Sequence, residues 1–164
     1  MSRLLMEMSL LEAAHLTDLV AQFVELLETT IEDDPLDDPA LARLVPSAYT
    51  DDAASAAEFR RLTQDDLLDR RKTDAVTVLT MLQRDGAALH PEDLGADDAH
   101  TPMVFEVDDP GVAAWLRTLA ALRLVLATRL GIVDDDDHDG RDPRFGIYDW
   151  LGYRLDGMLE ALED

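Results

Sequence analysis

Apolar residues recur along most of this chain at the three- and four-residue spacing that places them on one face of a helix. This pattern predicts helices near residues 9–31, 51–62, 63–86, 109–130 and 147–162. The sequence therefore predicts a mainly α fold, a bundle of about five helices.

Each predicted helix has a polar side and an apolar side. On the first helix, the solvent-facing positions are predicted to be Glu12, His15, Asp18, Gln22 and Glu25. On the last helix, the buried positions are predicted to be Tyr148, Leu151, Leu155 and Leu159.

Two short segments alternate between apolar and polar residues instead, as a half-buried strand does. In residues 3–8, the side chains of Leu4, Met6 and Met8 fall on one side, and residues 103–107 are rich in strand-forming types. We therefore expect a small two-stranded antiparallel ribbon that joins residues 3–8 to residues 103–107.

The ends of two helices carry recognisable signals. Ser9 and Glu12 match the S-x-x-E capping box, in which each side chain accepts a hydrogen bond from a free backbone N–H of the first turn. Asp109 is predicted to cap the fourth helix, with Pro110 at its first position and Gly131 at its end.

The fourth predicted helix is apolar almost throughout, yet it carries three arginines. Arg117 points away from the apolar stripe, whereas Arg123 and Arg129 fall inside or beside it. A cation against the core needs carboxylates, so the helix predicts an acidic partner such as Glu58 or Asp66. The pattern is compatible with a structural ion pair and with a ligand site.

Length and composition limit the class of protein. At 164 residues and 47% hydrophobic, the chain fits a single domain spanning residues 1–164. The arginines interrupt its longest apolar run, and the N-terminus lacks a signal-peptide pattern, so we expect no membrane segment and a cytoplasmic location. Since the chain has 0 cysteines, disulfides, thiol nucleophiles and cysteine-based zinc sites are excluded.

The chain is strongly acidic, with 36 acids against 14 basic residues and a net charge of −22. Such a surface repels phosphate backbones and suits basic protein partners. Nucleic acid is therefore not an expected partner.

One basic cluster leaves a DNA-binding alternative open, because two consecutive predicted helices could imitate a helix-turn-helix. Its cations are Arg60, Arg61, Arg70, Arg71 and Lys72. Three carboxylates, those of Asp65, Asp66 and Asp69, lie among them. Intramolecular ion pairing explains this composition better than a recognition helix does.

An acidic loop resembles half of a calcium site. Asp135, Asp137 and Asp139 precede Gly140 in the order of a calcium-binding loop. The twelfth position is Gly146, where the bidentate glutamate of such a loop is required. A solvated acidic loop is the favoured interpretation, and calcium binding is the alternative.

Other metal and catalytic patterns are incomplete. Glu12 and His15 show the E-x-x-H spacing of di-iron bundles, but such a site needs a second copy and two further glutamates. Neither a G-x-S-x-G elbow nor a glycine-rich phosphate loop occurs in the sequence. We therefore expect no cofactor and no enzymatic activity, with a metal- or anion-binding protein or enzyme as a remaining alternative.

Three segments together resemble an actinobacterial family, the domain of unknown function numbered two-zero-one-seven. They are RLVPSAYTDDAASAAEFRRLTQDDLLDRRK (43–72), AWLRTLAALRLVLATRLGI (114–132) and YDWLGYRLDGML (148–159). The resemblance implies a mainly helical fold with a small strand pair. Some relatives carry a transcriptional-regulator label, and many are encoded near a Clp protease adaptor, which implies regulation or protein quality control.

Within the matched segments, charged residues stand among core aromatics and are candidates for buried ion pairs. The full set of candidates is Arg43, Glu58, Arg60, Asp66, Arg123 and Arg129. Strong core patterning without a catalytic set favours a non-enzymatic regulatory or adaptor protein that acts through protein contacts. A protein partner is therefore expected, and self-association is plausible.

Overall fold

The computed structural model describes residues 3–29, 39–42, 44, 53–132 and 145–163. The elements in chain order are β1 (Leu4–Ser9), α1 (Leu10–Thr29), α2 (Pro39–Ala42), α3 (Ala53–Leu82), β2 (Pro102–Val107), α4 (Asp109–Leu130) and α5 (Gly146–Glu163). The prediction of a mainly helical fold with a two-stranded ribbon is confirmed. Among the described residues, four helices are longer than a single turn, namely α1, α3, α4 and α5, so the predicted bundle of about five such helices is slightly off.

The difference in helix count comes from α3. The sequence predicts two helices that meet at Thr63, but the backbone is one continuous helix from Ala53 to Leu82. A threonine followed by acids is only a local preference for a helix start, and the segment contains neither glycine nor proline that would stop propagation. The helix ends before Asp85 and Gly86, whose positive φ angles form a tight turn.

The helix-end signals were predicted well because they are local. Ser9 N–H donates to Glu12 at 3.1 Å, and Glu12 N–H donates to the Ser9 hydroxyl at 3.1 Å, which confirms the capping box. The cap of α4 is Asp108, one residue before the predicted Asp109, and it accepts from the backbone N–H of Gly111. Gly131 ends α4 in the left-handed conformation as predicted.

The ribbon pairs β1 with β2 in antiparallel register, with Met6 opposite Phe105 and Met8 opposite Met103. Met6 and Met8 are buried, so the predicted inward side of β1 is confirmed. This inward side packs over α4, where the rings of Phe105 and Trp115 lie 5.7 Å apart between centroids. The ribbon therefore covers one side of the helices and leaves its other side to solvent.

The core lies around α4. Trp115 and Leu119 are fully buried, and the Trp115 indole N–H donates to the Met81 sulfur at 3.1 Å. The same cluster draws apolar residues from both strands and from α1, α2, α3 and α5. The cluster includes Met6, Leu16, Phe23, Ala40, Val78, Leu82, Val107, Leu122, Leu151 and Met158.

By length and composition, α4 meets the criterion for a membrane span, with a mean hydropathy of 1.4 over its most apolar window. The reason is that residues 111–128 contain only Arg117 and Arg123 as charged groups, so the arginines interrupt this run less than expected. The absence of a membrane segment stays a prediction. Within the fold, 56% of this window is buried. A core helix of a water-soluble protein, which is mostly buried, meets the same criterion.

Candidate functional site

Arg123 is half-buried and is held against α5. Its guanidinium lies 4.1 Å from the centroid of the Tyr148 ring, and its Nε donates to the Tyr148 carbonyl at 3.4 Å. Gly152 makes room for it, because a Cβ there would come within 2.9 Å of the Arg123 Nη2. Arg123 therefore lies against the core as predicted, and it connects α4 to α5.

The other predicted members of a buried ion-pair network do not join Arg123 in the described part of the chain. Arg129 is exposed, so its predicted position against the core is wrong. The Asp66 side chain is 75% exposed and lies 3.7 Å from Arg70, one turn along the same helix, so it is not a buried partner either. Arg43 and the side chains of Glu58 and Arg60 lie outside the described residues.

Arg117 points away from the core as predicted, and it makes a two-point ion pair with α3. Its Nε and Nη2 donate to the two Asp74 oxygens at 2.8 and 3.1 Å. These hydrogen bonds raise the pKa of Arg117, whose side chain is otherwise half exposed. This pair holds α3 beside α4 and has no apparent part in a cavity.

Glu12 is the centre of a network that the sequence prediction missed. Beyond its capping bond to Ser9, its Oε2 accepts from the Trp150 indole N–H at 2.8 Å and from Arg154 Nη2 at 2.7 Å. Burial by itself would raise the pKa of Glu12, but the hydrogen bonds from Arg154, Ser9 and Trp150 together lower it to about 2. The carboxylate therefore ties the start of α1 to α5.

A cleft of about 440 Å³ lies next to this network, between α1 and the first turn of α5. Its lining includes Glu12, His15, Asp18 and Trp150. The E-x-x-H pair therefore faces a real cleft, but among the described residues no group of three potential metal ligands comes together. The Glu12 carboxylate in this cleft is already engaged by Arg154.

Two of the three described cations of the basic cluster lie beside acids of the same chain, and the third, Arg71, has a buried Nε with no hydrogen-bond partner. Arg70 lies beside Asp66, and Lys72 Nζ lies 3.0 Å from Glu28 on α1. The side chains of Arg60 and Arg61 lie outside the described residues, as does the acidic loop with Asp135, Asp137 and Asp139. The DNA and calcium alternatives therefore gain no support from the described part of the chain.

A second feature is an exposed apolar surface, which we call the ribbon–α5 face. It joins the outer side of the ribbon to the outer side of α5. Its members are Leu5, Glu7, Val104, Tyr153, Asp156 and Glu160. The Leu5, Val104 and Tyr153 side chains are 67%, 60% and 72% exposed, and a groove of about 450 Å³ runs between β1 and α5. Large apolar side chains grouped in this way are typical of protein-interaction surfaces.

Only one feature of the amino-acid sequence indicates this face. Leu5 interrupts the alternation of β1, since it lies between two inward positions, and this could have marked an apolar outer side. The apolar stripe of α5 also extends beyond the part of the helix that packs against the core. Leu159, predicted to be buried, is 49% exposed, whereas Met158 is buried in its place.

Comparison with known proteins bears on the family of the chain. Searches of curated proteins and of solved structures return no match. The model of one family, described as domain of unknown function DUF2017, matches residues 2–162. Because this match covers nearly the whole chain, as the resemblance of its three segments implied, the protein belongs to the DUF2017 family.

Proposed function

We propose that this chain is a non-enzymatic regulatory or adaptor protein of the cytoplasm that acts through contacts with other proteins. The observation that supports this proposal is the ribbon–α5 face, where Leu5, Val104 and Tyr153 are each more than half exposed. Leu5 and Val104 are diagonal neighbours on the outer side of the ribbon, so they form one continuous apolar area.

The charges around this area indicate the chemistry of the partner. Glu7, Asp156 and Glu160 line the groove between β1 and α5, and Arg154 among them is already engaged by Glu12. An apolar centre with an acidic rim suits a partner that presents apolar side chains surrounded by lysine and arginine. The net charge of −22 acts in the same direction, because it attracts basic proteins over a distance.

Site-specific photocrosslinking in cells at native expression tests this proposal. A photoreactive phenylalanine analogue replaces Leu5 or Tyr153 on the face, or Val76 on α3 as a matched exposed position. We expect discrete protein adducts from Leu5 and Tyr153 and none of the same mass from Val76. The proposal would be overturned if neither face position gave a crosslinked product, or if Val76 gave products of the same mass as the face positions.

A pair of charge variants provides a second readout. Leu5→Asp combined with Tyr153→Asp places two more carboxylates in the apolar area, whereas Val76→Asp adds one elsewhere. Since all three side chains are exposed, we expect each variant to fold, which thermal unfolding checks. The double variant should lose the captured protein, and Val76→Asp should retain it.

A further inference from the structure

The two strands of the ribbon differ in what lies beyond them. The backbone N–H of Leu10 donates to the Thr101 carbonyl at 2.9 Å. This bond extends the ladder by one pair and determines which residue pairs of the ribbon are hydrogen-bonded to each other. In an antiparallel ladder, hydrogen-bonded pairs alternate with pairs whose backbone groups point outward. Phe105 therefore bonds to β1, whereas the N–H and C=O groups of Val104 and Glu106 point away from it.

The outer edge of β1 is engaged by α5 at one point. Glu7 lies opposite Val104, so its carbonyl also points out of the ribbon, and it accepts a hydrogen bond from Arg154 Nη1 of α5 at 2.9 Å. No comparable bond reaches the outward backbone groups of Val104 or Glu106 from any described residue. Within the described part of the chain, the edge of β2 is therefore unpaired at Val104 and Glu106, whereas the edge of β1 is engaged at Glu7.

Open strand edges readily pair with another chain, and proteins normally protect them with proline or charge. In β2 this protection consists of Pro102, which has no N–H to donate, and of the exposed Glu106, one oxygen of which accepts a hydrogen bond from Arg3 at 3.1 Å. Asp108 and Asp109 follow directly, so the charges near this edge are predominantly negative. Negative charges disfavour pairing with a second copy of this acidic chain, but they favour a basic strand.

We propose that an extended basic segment of a partner protein pairs with β2 and becomes the third strand of the ribbon. This inference rests on the proposed function and gives it a specific mode of binding, namely strand addition. A lysine or arginine of the segment would lie opposite Glu106, and an apolar residue would lie opposite Val104. On the inner side, apolar residues would cover Met103 and Phe105, which are only half-buried.

The test uses peptides displayed from an unbiased library of 12-residue sequences, selected on the full-length chain. We expect the selected peptides to alternate apolar residues with lysine or arginine. Their affinity, measured by fluorescence anisotropy, should fall as the salt concentration rises. Enriched peptides without this pattern, or no enrichment, would overturn the proposal.

Two variants of one residue separate backbone pairing from side-chain contact. Val104→Pro removes an outward N–H without breaking a bond to β1, and Val104→Thr keeps that N–H in a side chain of similar shape. We expect Val104→Pro to weaken peptide binding by about tenfold or more, and Val104→Thr to change it by less than about threefold. Circular dichroism and thermal unfolding check that both variants fold.

Two outcomes would contradict strand addition and still leave the proposed function standing. If Val104→Pro binds the peptides as well as the wild type does, the edge is not used, while crosslinks from Leu5 and Tyr153 would still show a protein partner. If sedimentation shows a dimer of the chain that Val104→Pro dissociates, a second copy occupies the edge, and the basic partner is excluded. In NMR spectra, shifts of the backbone amide signals of Val104 and Glu106 on peptide binding would support the proposal directly.

Discussion

The Glu12 carboxylate accepts hydrogen bonds from both ends of the described chain. One oxygen closes the capping box with Ser9, and the other accepts hydrogen bonds from Trp150 and Arg154. Because the partners lie on β1 and α5, this side chain of α1 connects the first and last elements of the described chain. Its ionised form is the one that these bonds stabilise.

Glu12→Gln therefore has a pH-dependent cost. A pKa of about 2 in the folded state, against 4.5 as the ordinary value, means that ionised Glu12 stabilises the fold above about pH 4.5. This contribution is lost as the pH falls from about 4.5 towards 2. We expect Glu12→Gln to lower the free energy of unfolding by about 1–2 kcal/mol at neutral pH, since partial exposure of the carboxylate screens the interaction.

Urea unfolding of wild type and Glu12→Gln at several pH values measures this difference. It should shrink towards zero near pH 2, because a protonated glutamate resembles glutamine. Glu25→Gln, an exposed position on the same helix, controls for the loss of one negative charge. A difference between wild type and Glu12→Gln that is independent of pH would contradict the role of the ionised carboxylate.

Thr118 has a buried hydroxyl that no described residue hydrogen-bonds. An unpaired buried hydroxyl opposes folding, so Thr118→Val, which keeps the shape, should raise the free energy of unfolding by about 1 kcal/mol. Thr17 is a matched control: it is also buried, but its hydroxyl donates to the Ala13 carbonyl at 2.7 Å. We expect no gain from Thr17→Val, and equal gains at both positions in chemical unfolding would contradict the argument.

At the scale of elements, the junction between β2 and α4 is tightly packed. Asp108 caps the helix by accepting from Gly111 N–H at 2.9 Å, and the chain turns there directly from strand to helix. A Cβ at Gly111 would lie 2.6 Å from Met81 Cε and 2.8 Å from Val107 Cγ1. The glycine is therefore required by the close approach of α3 and β2.

Gly111→Ala should consequently destabilise the protein by about 1–3 kcal/mol, although alanine is the better helix former. Gly157→Ala is the matched comparison, because a Cβ at that position in α5 would meet nothing within 4 Å. We expect Gly157→Ala to stabilise by about 0.5–1 kcal/mol. Thermal unfolding of the two variants checks the opposite signs, and a gain at Gly111 would show that the junction has room.

The elements also show what sequence reasoning can and cannot reach. The capping box at Ser9 and the end at Gly131 are local features, and the periodicity of the ribbon decides which side of Met6 and Met8 is buried. By contrast, Glu12 was placed on the solvent side, because its bonds to Trp150 and Arg154 depend on where α5 packs. The unpaired edge of β2 is equally a result of packing, since Arg154 of α5 donates to a backbone carbonyl of β1, and no described residue donates to the backbone of Val104 or Glu106.

At the scale of the whole molecule, charge is the dominant property. With 36 acids and 14 basic residues, repulsion among carboxylates opposes the compact state. Two ion pairs offset a small part of this repulsion, namely those of Arg117 with Asp74 and of Arg154 with Glu12. Their contribution is small because both pairs are local and partly exposed. The same repulsion opposes the association of two copies of the chain, and the proposed preference of the β2 edge for a partner of opposite sign rests on it.

This balance predicts that salt stabilises the protein. Raising NaCl from about 20 mM to about 500 mM shortens the range of the repulsion, and we expect thermal unfolding to shift upward by roughly 2–8 °C. Neutralising three exposed acids, by Glu25→Gln, Asp97→Asn and Glu163→Gln, takes the net charge from −22 to −19. The variant should unfold at a higher temperature in low salt and respond less to added NaCl. If salt instead lowered the unfolding temperature, the ion pairs would outweigh the repulsion, and negative charge could no longer support the proposal that the edge of β2 prefers a basic segment to a second copy.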